Sequence, residues 1–325
     1  MKIVIISGSR ADRNTLRAVE KSLVAQDTRW ANLPETNYII NKFSPDLAIV
    51  HGDRHEIAST AVYLRMHGIP IAHIGGGERT RASYDDGFRD AITKMAHLHF
   101  VNTVEAKRRL VDDLSESESR VHVVGEPALD WLYNASLSSR IETMGRLGLD
   151  VDRCVNFVLV NWQPETLAEK PNLGLLAILA GVRMAGVPVV FISQNDDRGS
   201  DEARRMLRED GQQPLDLDRE TYASALKHCN ILIGNSSSGL IEAPVFGTPF
   251  LLVGDRQDGR LFPANVAKVA PDASMIAEAI NASDRYKCGP VHNPYGDGYA
   301  CERIVKVIGG LGAPRWLIDK RAVHS

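Results

Sequence analysis

The stretch from Cys229 to Asp255, CNILIGNSSSGLIEAPVFGTPFLLVGD, indicates the fold class. Its two apolar runs, ILIG and FLLVG, lack the alternation of a half-exposed strand, and such continuous runs are typical of strands buried on both faces of a sheet. Between them, a serine-rich turn leads into a helical segment. Strand, turn, helix and strand in this order predict a βαβ unit with parallel strands.

The same pattern recurs along the chain. The other apolar runs are KIVIISGSR, LAIVHGD, IPIAHIGGGE, LHFVNT, VHVVGEP, FVLVNWQ and VPVVFISQND, and segments such as residues 56–68 and 87–99 between them have helical periodicity. The polar stretch at residues 134–152 interrupts this rhythm. We therefore predict an α/β protein with two doubly wound Rossmann-like domains, residues 1–150 and 151–296, and an interdomain cleft.

Composition narrows the class of protein. The chain has 325 residues, 44% hydrophobic and 24% charged, with a net charge of −3, which gives no reason to expect a nucleic-acid partner. The four cysteines show neither C-x-x-C spacing nor a zinc-ligand grouping, so we expect reduced thiols and no metal. Residues 173–192 are strongly apolar, but Arg183 and a GVP sequence within them predict a helix followed by a strand. We expect a soluble, cytoplasmic protein whose N-terminus forms a first strand rather than a signal peptide.

Polar clusters follow many of the predicted strands. They occupy residues 7–10, 51–54, 73–78, 195–200, 235–238 and 255–260. Because ligands of open parallel sheets bind beyond the carboxyl ends of the strands, these clusters predict where the binding residues lie.

The serine-rich turn has the chemistry of an anion site. Backbone N–H groups and the hydroxyls of Ser236 and Ser237 at a helix N-terminus suit a phosphate, whereas the carboxylate of Glu242 suits the vicinal hydroxyls of a ribose. Simple N-capping by one of the serines explains the local pattern equally well.

Three arginines could carry the charge of a diphosphate. Arg256 and Arg260 follow a strand in GDRQDGR, and Arg10 follows the first strand in SGSRAD. The alternative for the first two is a pair of surface salt bridges with Asp255 and Asp258. Neither G-x-G-x-x-G nor G-x-x-x-x-G-K-[ST] occurs, which disfavours a Rossmann dehydrogenase and a P-loop enzyme.

A second group of candidate residues, near the carboxyl ends of strands in the first predicted domain, carries acidic and imidazole side chains. His51 and Asp53 come just after a strand in VHGDRHE, and Asp85 and Arg89 lie four residues apart at a helix start in YDDGFRD. Such acids could move protons at the ring carbons of a nucleotide-sugar. The alternative for Asp85 and Arg89 is a structural salt bridge.

Taken together, these segments resemble the hydrolysing UDP-N-acetylglucosamine 2-epimerases of the sialic-acid type. The resemblance runs in order through GSRAD, VHGDRHE, IAHIGGGERT, YDDGFRDAITKMAHLHF, GEPALD, QPETL, NDDRGSD, GNSSSGLIEAPVFGTP, GDRQDGR and NPYGDGYACERI. It implies a GT-B architecture, with a C-terminal helix at about residues 297–325 that returns to the first domain. It also implies a UDP-sugar substrate, no cofactor or metal, and a possible homodimer.

The resemblance assigns roles to individual residues. The implied UDP-binding residues are Arg10, Gln163, Asp197, Ser200, Ser236, Ser237, Glu242, Arg256 and Arg260. The implied catalytic residues are His51, Asp53, Glu78, Asp85 and Arg89. The family reaction is an anti elimination of UDP that gives 2-acetamidoglucal, followed by a syn addition of water that inverts C2 and yields N-acetylmannosamine.

Four departures from the family pattern lie on the sugar side. Gly75 stands where the family segment HIEGG carries a catalytic glutamate, Gln163 replaces a histidine, and Asp90 replaces another histidine. Only 42 residues separate Arg10 from Asp53 (53 − 10 − 1), which predicts a smaller first sheet with about one crossover in this interval.

These departures leave two alternatives to the epimerase open. One is a GT-B glycosyltransferase that uses a UDP-sugar and an acceptor bound to the altered first domain. The other is a nucleotide-sugar binder with impaired catalysis, because carboxylate and imidazole functions are missing.

Overall fold

The structure is a computed structural model that describes residues 1–8, 10–31, 36–81, 83–152, 156–283 and 289–320. Within these ranges it describes only the backbone at residues 10–12, 14, 36, 37 and 39. The side chain of Arg10, a predicted phosphate ligand, therefore lies outside the described part. Cys154 and Cys288 lie outside it as well, and the described cysteines, Cys229 and Cys301, are buried free thiols.

The chain divides into two compact units. The first unit comprises Met1–Glu78, Asp85–Asn134 and Tyr295–Ser325, and the second comprises Arg79–Tyr84 and Ala135–Pro294. The main part of the second unit thus begins at Ala135, earlier than the predicted boundary at residue 151. The reason is that residues 138–140 are bonded to this unit: the Arg140 guanidinium donates to the His228 carbonyl over 2.6 Å, and the Ser138 N–H donates to Ser224 Oγ over 3.2 Å.

Each unit contains one parallel sheet. The strands are β1 (Lys2–Ile6), β2 (Asp27–Ala31), β3 (Leu47–His51), β4 (Ile71–Ile74), β5 (Leu98–Val101), β6 (Val121–Val123), β7 (Val158–Asn161), β8 (Val189–Phe191), β9 (Ile231–Gly234), β10 (Phe250–Val253) and β11 (Val266–Val269). In the first unit the strand order is β2-β1-β3-β4-β5-β6, and in the second it is β11-β10-β9-β7-β8. Every strand pair is parallel, which confirms the predicted α/β class.

Helices connect the strands and cover both faces of each sheet. They are α1 (Arg10–Ser22), α2 (Thr36–Phe43), α3 (His55–Met66), α4 (Asp85–Met95), α5 (Val104–Arg108), α6 (Pro127–Asn134), α7 (Arg140–Arg146), α8 (Leu173–Ala185), α9 (Ser200–Glu209), α10 (Arg219–His228), α11 (Ser238–Ile241), α12 (Ala243–Phe246), α13 (Ala273–Asn281) and α14 (Ala300–Gly310). A π-helical turn, Arg109–Asp113, follows α5 directly. The apolar window at residues 173–192 forms α8 and β8, and no helix in the described part of the chain is long and apolar enough to cross a membrane.

The cores explain the continuous apolar runs. Along β1, Ile3 and Ile5 pack with residues of α1 and α14 on one face of the sheet, while Val4 and Ile6 pack with residues of α2, α3 and α4 on the other. Because successive side chains point to opposite faces, a strand covered on both sides needs apolar residues at every position. In the second unit, α8, α9 and α13 cover one face of the sheet in the same way.

Two strands were not predicted from the sequence. Both β2 (DTRWA) and β11 (VAKV) are edge strands with half-exposed side chains, so neither shows a continuous apolar run. As a result, the prediction of about one crossover between Arg10 and Asp53 was wrong. That interval holds two crossovers, through α1 and α2, and it fits them because β2 has 5 residues and α2 has 8.

The contact between α8 and the end of β7 leaves no room for a side chain at Gly174. A Cβ atom at this position would lie 2.3 Å from Cη2 of Trp162, whose side chain is almost completely buried. We expect Gly174→Ala to lower the free energy of unfolding by about 1–3 kcal/mol, because the indole must shift. Gly145→Ala in α7 is the matched control, since nothing lies within 4 Å of its Cβ, and it should stabilise by up to about 1 kcal/mol. Urea unfolding curves test this, and equal midpoints for the two variants would contradict it.

Candidate active site

A buried guanidinium organises the carboxyl ends of β3 and β4 in the first unit. Arg89 of α4 is 1% exposed, and its Nη2 contacts the Asp53 carboxylate just beyond β3. Its Nη1 donates to Asp86 Oδ1 and, over 2.8 Å, to the carbonyl oxygen of Glu78 in the loop after β4. One side chain thus ties two strand ends to the start of α4.

The charge of this cluster is balanced inside the protein. Burial alone would lower the pKa of Arg89, but attraction from Asp53, Asp86 and Glu78 outweighs burial and raises it. Arg89 is therefore a permanent cation. The i,i+3 ion pair of Arg89 is with Asp86, a residue that the sequence did not single out. Asp85 is half-buried at the first position of α4.

The loop after β4 packs through three glycines. Gly77 has φ +84°, and a Cβ there would lie 2.6 Å from the Ala106 carbonyl oxygen. A Cβ at Gly76 would lie 2.9 Å from Thr93 Oγ1. Gly75 has φ +83°, a backbone conformation that L-residues rarely adopt. The loop therefore depends on the absence of side chains at all three positions.

The position of Gly75 faces His51 on the neighbouring strand. The register pairs His51 with Ile74, and a Cβ at residue 75 would lie 3.8 Å from Nε2 of His51. His51 is half-buried and ends β3. The place in which the family resemblance puts a catalytic glutamate is thus beside an imidazole in this chain.

A second histidine under the loop is locked in one neutral form. His73 is fully buried, and its Nε2 donates over 2.8 Å to the carbonyl oxygen of Gly52, since a carbonyl can only accept. Its Nδ1 must then accept from Thr93 Oγ1, which lies 3.1 Å away. Burial lowers the pKa of His73 to about 3, so the ring stays uncharged at neutral pH.

Asp90, which replaces a family histidine, forms a structural ion pair. Its two carboxylate oxygens accept from Nη1 and Nη2 of Arg109 over 2.8 and 2.6 Å, in a bidentate arrangement. Arg109 is nearly buried and belongs to the π-helical turn after α5. The pair joins α4 to that turn.

In the second unit, the amide of Asn235 links the ends of β7 and β9. Its Oδ1 accepts from the Gln163 N–H, and its Nδ2 donates to the Gln163 carbonyl oxygen, both over 2.8 Å. Gln257, after β10, donates from Nε2 to the Asn235 carbonyl oxygen over 2.7 Å. Gln163 in turn accepts from the Asn195 N–H after β8 and donates to Asn161. Gln163, predicted as a UDP ligand, therefore joins the carboxyl ends of β7, β8 and β9.

A directed chain of hydrogen bonds ends at the serine-rich turn. Asn161 Nδ2 donates to the hydroxyl of Tyr222 over 3.0 Å, Tyr222 lies 2.5 Å from Ser238 Oγ, and Ser238 donates to Ser236 Oγ over 3.1 Å. Burial, with the Glu242 carboxylate as the second cause, raises the pKa of Tyr222, so its hydroxyl keeps its proton. Because each hydroxyl donates to the next, the chain ends at the hydroxyl hydrogen of Ser236.

The helix predicted after the serines is broken. Helix α11 has only 4 residues, and α12 begins after Glu242 with Pro244 in its first turn, where the missing N–H interrupts the helical bonding. Glu242 lies at this junction and is half-buried. Ser237 occupies the N-cap position of α11, but its side chain makes no capping hydrogen bond.

The loop after β10 is fixed by a carboxylate. Glu165 Oε1 accepts from the N–H groups of Asp255 and Arg256 over 2.8 and 3.1 Å. Burial raises the pKa of Glu165 above its ordinary value. Arg260 donates from Nε to the carbonyl oxygen of Arg79 over 3.0 Å.

The two aspartates considered as partners of the loop arginines contact a lysine. The carboxylates of Asp255 and Asp258 lie 2.7 and 2.5 Å from Lys268 Nζ on β11. Asp197 and Ser200, two further predicted UDP ligands, bond to each other: the Asp197 N–H donates to Ser200 Oγ over 3.1 Å at the start of α9. Their binding roles stay predictions.

Sequence reasoning missed several members of these networks. Asp86 was hidden by the neighbouring Asp85, since both spacings to Arg89 place partners on one helical face. Tyr222 was not singled out because it lies in a helix before β9, and Gln257 and Glu165 were not singled out although they lie in the quoted segments GDRQDGR and QPETL. Among the described residues, no group of three or more His, Cys, Asp or Glu side chains could hold a metal ion.

Comparison with known proteins identifies the family. A sequence profile described as UDP-N-acetylglucosamine 2-epimerase matches residues 18–309. Because this match covers most of the chain, the protein belongs to the UDP-N-acetylglucosamine 2-epimerase family, and the resemblance stated from the sequence is confirmed.

Several curated relatives are similar over much of the chain. The polysialic acid biosynthesis protein P7 of Escherichia coli is 34% identical over 275 residues, covering 81% of this chain and 69% of the relative. The GDP/UDP-N,N'-diacetylbacillosamine 2-epimerase (hydrolyzing) of Campylobacter jejuni is 35% identical over 234 residues, covering 68% of this chain and 59% of the relative. The UDP-N-acetylglucosamine 2-epimerase of Neisseria meningitidis is 26% identical over 276 residues, covering 82% and 72%.

Solved structures share the fold. The UDP-GlcNAc 2-epimerase from Neisseria meningitidis bound to UDP-GlcNAc matches with a TM-score of 0.76 at 16% identity, covering 95% of this chain and 99% of that one. The S. aureus MnaA–UDP co-structure matches with a TM-score of 0.74 at 20% identity, covering 94% and 95%. The predicted GT-B fold class is confirmed.

The Arg89 cluster makes a prediction about stability. Arg89→Met leaves Asp53 and Asp86 close together without their cation, and we expect it to lower the free energy of unfolding by about 3–5 kcal/mol. The matched control is Arg204→Met, which breaks ion pairs with the exposed Asp196 and Asp201 and should cost less than about 1 kcal/mol. Chemical denaturation at neutral pH measures both. Similar losses in the two variants would contradict the expectation that removing the buried cation costs more free energy of unfolding than removing the exposed one.

The buried, neutral ring of His73 predicts how the stability of the protein depends on pH. Below pH 6.5 the unfolded chain gains a proton at this residue, while the folded protein resists protonation until about pH 3. This contribution to stability is therefore complete above pH 6.5 and is lost as the pH falls, by up to about 1.4 kcal/mol per pH unit. We expect His73→Gln to flatten the decline in stability between pH 7 and 5, and His67→Gln at an exposed position to leave it unchanged. Urea titrations at both pH values test this, and an unchanged slope in His73→Gln would refute it.

Proposed function

We propose that this protein is a hydrolysing UDP-N-acetylhexosamine 2-epimerase, acting on UDP-N-acetylglucosamine or a close relative to release UDP and N-acetylmannosamine. The observation that carries the proposal is the match of the family profile over residues 18–309. The relatives named as polysialic acid and diacetylbacillosamine enzymes favour a 2-acetamido sugar as the substrate class and a surface polysaccharide as the destination of the product.

The second unit is proposed to bind the UDP part. The hydrogen-bond chain from Asn161 through Tyr222 and Ser238 supports this role, because it leaves the Ser236 hydroxyl hydrogen as a donor for a phosphate oxygen. Arg256, with Arg260 and Ser237, is proposed to supply further charge and donors to the diphosphate. Glu242, at the junction of α11 and α12, is proposed to accept from the ribose hydroxyls.

The first unit is proposed to act on the sugar. Elimination removes the proton from C2, its electron pair forms the C1–C2 double bond, and the C1–O bond breaks with its electrons going to UDP. Water then adds a hydroxyl to C1 and a proton to C2 on the same face of the double bond, which is the face opposite to the one that the original C2 proton left. Arg89, held as a cation by Asp53 and Asp86, supports charge stabilisation near the sugar, and Asp85 and Glu78 are the remaining candidate acids.

A reaction in deuterated water tests the activity. We expect pure protein and UDP-N-acetylglucosamine to give free UDP and N-acetylmannosamine that carries deuterium at C2, followed by proton NMR. Release of UDP only when an acceptor is added, with C2 unchanged, would instead indicate a glycosyltransferase. Binding of UDP-sugars without any release, across several UDP-N-acetylhexosamines, would indicate a binder and overturn the proposal.

The role of Glu242 can be tested with a ligand that lacks one hydroxyl. We expect the protein to bind UDP about tenfold more tightly than 2'-deoxy-UDP, because a hydrogen bond to a carboxylate is worth about 1.5 kcal/mol or more. Glu242→Gln should weaken UDP binding and reduce this preference towards unity, while Glu220→Gln on the exposed side of α10 should keep it. Isothermal calorimetry measures the affinity of each of the three proteins for each of the two ligands. Full preference in Glu242→Gln would rule out the ribose contact.

A further inference from the structure

The hydrogen-bond chain that ends at Ser236 begins at a backbone amide. The N–H of Asn195, in the loop after β8, donates to Gln163 Oε1 over 2.9 Å. Because a backbone N–H can only donate, the Gln163 atom that faces it must be the carbonyl oxygen, and the remaining amide atom, Nε2, is a donor. This nitrogen donates to Asn161 Oδ1 over 3.2 Å. One fixed donor therefore sets the orientation of two side-chain amides.

The same direction continues through the hydroxyl groups. With its oxygen facing Gln163, the Asn161 amide presents Nδ2, which donates to the Tyr222 hydroxyl over 3.0 Å. Burial raises the pKa of Tyr222, so this hydroxyl keeps its proton and donates it to Ser238 Oγ, 2.5 Å away. Ser238 in turn donates to Ser236 Oγ over 3.1 Å. Each group can donate onward because it accepts from the group before it.

Ser236 is left with a single way to bond a ligand. Its oxygen accepts from the hydroxyl of Ser238 and, over 3.4 Å, from the backbone N–H of Ser238, which together occupy both lone pairs. Within the part of the chain that the structure describes, its own hydrogen has no acceptor, and the residue is half-buried rather than enclosed. The hydroxyl can therefore donate to a ligand but cannot accept from one.

We propose that the side chains before Ser236 in this hydrogen-bond chain are positioning residues, which hold its hydroxyl as an obligate donor to a phosphate oxygen of UDP. They are Gln163, Asn161, Tyr222 and Ser238. This inference rests on the proposed function. An ionised phosphate oxygen only accepts hydrogen bonds, so it matches an obligate donor. Because the hydroxyl is oriented before the ligand arrives, binding does not have to order it.

Removal of the Tyr222 hydroxyl tests the chain at its middle. We expect Tyr222→Phe to weaken UDP binding about three- to tenfold, because Ser238 loses the donor that orients it. The affinity for uridine, which lacks the phosphates, should stay within about twofold. Isothermal calorimetry measures both ligands. A Tyr222→Phe variant whose affinity for UDP lies within about twofold of wild type would overturn the inference.

A matched control loses a buried hydroxyl elsewhere in the second unit. Thr248 is fully buried, and its Oγ1 donates to the Leu226 carbonyl oxygen over 2.7 Å, with no bond to the chain that leads to Ser236. Thr248→Val should therefore keep the wild-type affinity for UDP. An equal loss of affinity in Thr248→Val and Tyr222→Phe would count against a specific role of Tyr222.

A second background separates positioning from a general structural role. Ser236→Ala removes the last donor, and we expect it to weaken UDP binding about tenfold. In this background, Tyr222→Phe should cost less than about a further twofold, because the chain no longer has an end to orient. The inference is wrong if Ser236→Ala binds UDP like the wild type, or if Tyr222→Phe costs the same in both backgrounds. Thermal unfolding establishes folding, and Ser238→Ala replaces Tyr222→Phe, with the same expected values, if the latter is unfolded.

The direction of the chain has a test of its own. In Asn161→Asp the carboxylate cannot donate to Tyr222, so Tyr222 would donate to it and the hydrogens would reverse as far as Ser236, which would then present a lone pair to the phosphate. We expect UDP binding to weaken more than tenfold, and the cost to be at least about threefold smaller in the Ser236→Ala background. An equal cost in both backgrounds would reflect repulsion by the new charge alone and would contradict a fixed direction.

The two levels of the proposal fail differently. If the wild-type protein neither binds UDP nor releases it from any UDP-N-acetylhexosamine, the proposed function is wrong and the positioning role falls with it. If the wild-type protein binds and releases UDP and the Tyr222 and Ser238 variants match its affinity, the positioning role alone is wrong.

Discussion

The burial of one guanidinium constrains the carboxyl ends of β3 and β4 in the first unit. An unneutralised charge at this depth would cost several kcal/mol, so Arg89 is tolerable only while Asp53, Asp86 and the Glu78 carbonyl remain around it. These partners come from the end of β3, the first turn of α4 and the loop after β4. The ion cluster therefore fixes the relative positions of the segments that carry every sugar-side candidate.

In the second unit the ends of the strands are held together by uncharged side chains. Asn235, Gln163 and Gln257 satisfy one another and the ends of β7, β8, β9 and β10 through neutral amides. Because these amides are neutral, the charges at this end of the sheet come from loop side chains such as Glu165, Arg256 and Asp258. The two units thus solve one problem, holding strand ends in register, with different chemistry.

The sequence was sufficient for the buried strands and insufficient for the networks. Strands such as β3 and β9 are apolar at nearly every position because both faces are covered, and that pattern needs no tertiary information. The edge strands β2 and β11 lack it. Helical spacing places Asp86 near Arg89, but only the position of the end of β3 decides that Asp53 is a further partner. The bridging role of Gln163 between strand ends could not be predicted, because residue type does not reveal which backbone groups a glutamine contacts; its binding of UDP stays a prediction.

The left-handed backbone at Gly75 limits which side chains this position accepts. A Gly75→Glu substitution would put a side chain on a backbone that disfavours it, although the nearest atom to the added Cβ, Nε2 of His51, lies 3.8 Å away. The obstacle to an acidic residue here is therefore the conformation of the loop rather than a lack of space.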